Sequence, residues 1–179
     1  MRSKLTAIVP MALAPFVLGL AVAPAIAAAP FGGDEDVAFA ADVWKAMQDY
    51  ETWRMKSGVY PGTSPHGAFL RLYYNLVDVD GKPYHVIVKD NFGGEGAKLE
   101  KVAAMPGDYL AAVTVMVQMP EGYDPENGDW FYAKYDPDGE VSVNDQSMAM
   151  AGRVGDGTTA SCLGCHLKAG DGDYIFTND

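Results

Sequence analysis

Apolar residues recur in steps of three and four between residues 35 and 56: Val37, Ala40, Val43, Trp44, Met47, Tyr50 and Trp53. That spacing lays them on one face of a helix, and Gly58 is placed to stop it. A stripe of this kind packs into a core. Beyond Gly58 the period changes. Residues 60–67 form a proline-marked loop, and residues 68–79 read as a strand rich in Leu, Tyr and Val. Asp80-Gly81 is a hairpin signal, with residues 84–89 as the return strand. A glycine-rich loop at 93–96 precedes a short helix or strand at 97–104, and residues 109–119 are a long β-rich run. After a loop at 120–129, residues 130–135 and 140–143 predict a second hairpin around Asp136-Pro137-Asp138-Gly139. The stretch around Met148-Ala149-Met150 reads as helical.

The prediction is an α+β chain, mainly antiparallel β-sheet with an N-terminal helix and short helices. The period-two runs and turn signals exclude a helical bundle. The 179 residues are 49% hydrophobic and 21% charged, which suits one domain with a core and excludes wholesale disorder.

Residues 1–27 are expected to be a secretory signal peptide: basic Arg2 and Lys4, an apolar stretch, then the small-x-small site Ala25-Ile26-Ala27. Cleavage is placed after Ala27, because a cut after Ala29 would leave Pro30 at the new terminus. Pro10, Pro15 and the cleavage site disfavour the rival, a membrane anchor. The expected location is periplasmic, with no membrane attachment after processing. Residues 28–56 form a leader and helix, and residues 57–179 the main domain. The net charge of −11 becomes −13 without Arg2 and Lys4, since 11 basic residues then face 24 acidic ones. Nucleic acid and anionic membranes are poor partners for such a chain. A basic electron-transfer partner or a small neutral ligand is compatible.

Both cysteines lie in Cys162-Leu163-Gly164-Cys165-His166. C-x-x-C-H is the attachment site of one covalent haem c. The two thiols form thioethers with the haem vinyl groups, and the adjacent His is the axial metal ligand. Export would deliver the chain to a compartment where such haem is attached. A zinc site needs about four ligands, and only His66 and His85 remain outside the motif. A thioredoxin-like pair belongs at a helix start in a βαβ pattern, which is missing here. A tight disulfide is the remaining rival.

The second axial ligand separates electron carriers from ligand-binding haems. No Met or His follows His166, so a sixth ligand would come from upstream: His66, His85, Met148, Met150 or Lys89. Each is more simply read as structural or exposed. The economical expectation is an iron with an open face that binds small molecules or does chemistry on them. A simple periplasmic electron carrier is the alternative.

Five stretches occur in family order: Ser64-Pro65-His66-Gly67 running into Phe69-Leu70-Arg71-Leu72-Tyr73; Val86-Ile87-Val88-Lys89-Asp90; Gly128-Asp129-Trp130-Phe131; the haem motif; and Asp173-Tyr174-Ile175-Phe176-Thr177. On these the chain resembles the cytochrome P-460 family, which includes the β-sheet cytochromes c′. The resemblance implies a homodimer of antiparallel sheets and a high-spin haem with a proximal His. In the enzymatic branch a lysine is cross-linked to the porphyrin, and the activity is oxidation of hydroxylamine, with nitric oxide chemistry nearby and a cytochrome as electron acceptor. The non-enzymatic branch binds nitric oxide or carbon monoxide in an apolar pocket. Lys89 matches the cross-link position, and Arg71 a distal arginine of the enzymes. A solvated lysine and an exposed, acid-paired arginine are the plainer readings. The distal carboxylate of the hydroxylamine oxidases maps near Val113, where residues 110–115 hold no acid. Its loss removes a proton acceptor and favours gas binding.

Overall fold

The computed structural model describes residues 31–154 and 162–169. The expected signal peptide, its cleavage site and the 173–177 stretch lie outside the described residues.

Helix α1 spans Asp34–Ala46. Asp34, Glu35 and Asp36 occupy its first turn and Lys45 its last, matching the sign of the helix dipole at each end. The Asp36 carboxylate also accepts from the backbone N–H groups of Gly32 and Gly33. Ala40, Val43 and Met47 are fully buried, and each of the two larger side chains contributes roughly 1.5–3 kcal/mol by leaving water. The helix is shorter than its periodicity suggested. It ends at Ala46, and a 3₁₀ turn at Tyr50–Thr52 replaces the expected last helical turns. Tyr50 and Trp53 still reach the core, so the pattern of burial continues after the helical path stops.

The sheet has seven antiparallel strands: β1 (Met55–Lys56), β2 (Tyr60–Pro61), β3 (Phe69–Val79), β4 (Lys82–Phe92), β5 (Leu110–Gln118), β6 (Trp130–Tyr135) and β7 (Ala151–Gly152). Both β1 and β2 pair with β3, and the order then runs β3-β4-β5-β6-β7. The β3–β4 turn is the one predicted. Asp80 and Gly81 have φ of 51° and 77°, the two left-handed residues that a tight hairpin between right-twisted strands demands. A helix α2 fills Leu99–Ala104. The second predicted hairpin forms only in part. Ser142 N–H donates to the Lys134 carbonyl, but residues 140–143 make only isolated bridges, Tyr135 to Val141 and Val143 to Ala149. The 148–150 stretch is not helical: Met150 N–H donates to Ser142 and Lys134 N–H donates to Met150, which ties it to the sheet.

The mainly antiparallel sheet with a few helices is thus the α+β fold expected. Its two faces carry separate cores. One packs α1 against Tyr73, Val86, Val88, Val113, Val115, Val117, Phe131 and Tyr135. The other gathers Leu72, Ile87, Met116, Trp130 and Tyr132 with Leu163.

Candidate functional site

Side chains alternate faces along a strand, and residues directly opposite across an antiparallel pair share a face. The register pairs Leu72 with Lys89, Lys89 with Thr114 and Thr114 with Lys134. These four form one row, on the face away from α1. The neighbouring row runs Leu70, Asn91 and Ala112. A cavity of about 370 Å³ opens on this face, lined by members of both rows and by Cys162, Cys165 and His166.

The motif forms helix α3 (Cys162–His166). Residues three and four apart lie on one side of a helix, so Cys162, Cys165 and His166 share a side. Leu163 points elsewhere, into the apolar cluster with Met116 and Tyr132, and so docks the helix on the sheet. Leu163 N–H also donates to the Val154 carbonyl at 3.2 Å. The His166 ring meets Tyr132 at 5.7 Å between centroids and His66 at 6.2 Å. Both thiols are free, and burial pushes the Cys162 thiol pKa up.

Lys89 is 7% exposed. Burial lowers the pKa of its ammonium, with the nearby Cys165 acting in the opposite direction. No Asp or Glu lines the cavity among the described residues. Lys134 lines it too but is exposed to solvent. The apolar part of the wall comes from Leu72, Ile87, Met116 and Met150. Two thiols and an imidazole on one helical turn, facing an apolar cavity with a buried amine, fit the residue set that holds a c-type haem.

His66 hydrogen-bonds Asn91 at 2.8 Å through Nδ1. Its pKa is lowered to about 4, mainly by burial and next by the positive charge of Lys89. Gly67 holds the loop against β4: a Cβ there would collide with the backbone of Phe92.

Two expected positions fall on the opposite face. Arg71 pairs in register with Asp90, not with Lys89, and does not line the cavity. The structure thus places it away from the cavity expected for a distal arginine: an odd step along β3 turns it toward α1, where it acts on Tyr73 and Asp90. Val113 is likewise fully buried in the α1-side core, so it is not a cavity position. On β5 the cavity is lined by Ala111, Ala112, Thr114, Val115 and Met116, but not by Val113. Of the upstream ligand candidates, His66, Lys89 and Met150 line the cavity. His66 is half-buried in the cavity wall. His85 is exposed and lines a separate groove with Lys82 and Met119. Met148 packs against the second apolar cluster.

Asn91, Thr114 and Lys134 were missed from the sequence. Asn91 was legible from Lys89, since two residues along a strand restore the same face. Thr114 and Lys134 needed the strand register.

A model of the family described as Cytochrome P460 matches residues 47–177. None of the curated proteins and none of the solved structures compared with the chain matches it. The match spans the sheet, the buried lysine and the C-x-x-C-H helix, and the chain belongs to the cytochrome P460 family of haem proteins.

Proposed function

We propose that the protein is an exported, periplasmic c-type haem protein with an open axial site that binds or oxidises small nitrogen species, nitric oxide and hydroxylamine among them. The observation that carries this is the cavity shared by Cys162, Cys165, His166 and the buried Lys89. Cys162 and Cys165 would hold one haem through thioethers, and His166 would ligate its iron. Bound there, the haem supplies a redox-active metal with a face for a small ligand. Leu72, Ile87 and Met116 keep that space apolar. Lys89 supports the oxidising branch, because a buried amine with a lowered pKa is the more nucleophilic form that a cross-link to the porphyrin requires. Electrons removed from hydroxylamine would pass to another cytochrome, and the working unit would be a homodimer.

A second reading is favoured by the cavity lining. With no carboxylate among the described residues there, a non-catalytic protein that binds nitric oxide or carbon monoxide needs no further group. One preparation separates these readings and the electron carrier. A high-spin ferric spectrum at neutral pH with Lys89 bonded to the haem on peptide mapping is the oxidase result. The same spectrum with a free Lys89 gives the gas binder. A low-spin spectrum returns the protein to electron transfer.

A further inference from the structure

The orientation of one amide fixes the protonation of a cavity histidine. Asn91 is 4% exposed. Its Nδ2 donates to the carbonyl oxygens of Lys89 at 2.8 Å and Ala112 at 3.3 Å, and to Thr114 Oγ1 at 3.1 Å. Two of those partners can only accept, so the amide nitrogen must face them. Asn91 Oδ1 is thereby turned to His66, and it too can only accept. His66 Nδ1, at 2.8 Å, must then carry the proton. A neutral imidazole protonated on Nδ1 keeps its lone pair on Nε2.

That lone pair has no hydrogen-bond partner among the described residues. His166 does not supply one. Two imidazoles joined by an N–H···N bond of about 3 Å would bring their centroids to about 5 Å, and these lie 6.2 Å apart. Of the other side chains in the wall, Lys134 only donates when charged, whereas Lys89 in its neutral form and the Tyr132 hydroxyl can accept. Thr114 Oγ1 is already engaged with Asn91 and with the Lys89 carbonyl.

We propose that His66 Nε2 is a hydrogen-bond acceptor for the guest, a ligand-positioning contact that favours ligands bearing N–H or O–H groups over nitric oxide, which has none. The proposal rests on the open-site reading above. It returns to the cavity an acceptor that β5 does not provide, from a loop held on β4 by the close approach at Gly67.

The test is rapid-mixing titration of the ferric holoprotein with hydroxylamine and with nitric oxide, in wild type, His66→Leu and His66→Gln. Losing one hydrogen bond should weaken hydroxylamine binding about tenfold in His66→Leu, with nitric oxide affinity held within about twofold. Gln retains an acceptor oxygen and should recover part of the loss, which a merely structural role would not predict. Equal changes for both ligands, or no change for either, overturn the role of His66 and leave the open site standing. A wild type that binds neither ligand while His66→Leu binds both makes His66 an iron ligand, and both readings fall. No binding in any variant also overturns both.

Discussion

The two faces of the sheet are built from alternate residues of the same strands, yet they differ in kind. On the α1 face, Val86, Val88, Val113, Val115 and Val117 form a dry layer. Its one buried carboxylate among the described residues, Asp90, accepts from the Tyr50 hydroxyl at 2.7 Å and the Tyr73 hydroxyl at 2.8 Å. On the cavity face the same strands present Lys89, Asn91, Thr114 and Lys134. There the polar groups bond one another only in part, and an amine and an imidazole nitrogen are left facing the space. Asp90 and Lys89 are neighbours in the chain. One has its bonding satisfied within the protein; the other faces the cavity.

The largest effect should come from placing the same acid on each face. Val113→Glu would bury a carboxylate among valines and cost about 3–5 kcal/mol, read as a fall in the urea midpoint. Thr114→Glu points into the cavity beside Lys89 and should cost roughly 1–2 kcal/mol, while supplying a proton acceptor that raises hydroxylamine turnover. Equal destabilisation by the two would break the distinction between the faces. Next, Tyr73→Phe removes a donor from a buried acceptor and should cost about 1–3 kcal/mol, with no change in the haem spectrum.

The faces should also answer pH in opposite senses. His66 has its pKa lowered from 6.5 to about 4. Between those values the unfolded chain binds the proton that the folded one refuses. The contribution of His66 to stability is therefore whole above pH 6.5 and lost as pH falls through about 4. Asp90 has its pKa raised above 3.8, chiefly by burial. Its folded form holds the proton more tightly, so its contribution declines as pH rises above the usual carboxylate range. Urea midpoints across pH should lose the first slope in His66→Leu and the second in Asp90→Asn. The smallest effect is expected at Arg71. Arg71→Leu should leave the haem spectrum of wild type, whereas Lys89→Leu should shift it; a matching shift would return Arg71 to the cavity.

Much of this is legible in the sequence alone. Strand β3, the Asp80-Gly81 turn and strand β6 follow from period-two runs and from residues that accept positive φ. The C-x-x-C-H motif was legible because its spacing sets both thiols and the imidazole on one side of a short helix. Arg71 and Val113 were misplaced for one reason. Motif matching locates a residue along a strand, but its face depends on the register with the next strand, and Leu72, not Arg71, sits opposite Lys89. The place of His66 in the cavity wall was not legible because it depends on Asn91, 25 residues away. The irregular return at 140–152 escaped because its few ladder bonds depend on Lys134, Ser142 and Met150 meeting in space.

The most direct test of the central claim is the intact mass, with peptide mapping, of the protein exported alongside haem maturation factors. The account predicts a mass increased by one haem, carried on the peptide containing Cys162, Cys165 and His166 and lost in Cys162→Ala/Cys165→Ala. A soluble, exported chain with no added haem and a Cys162–Cys165 disulfide would contradict it.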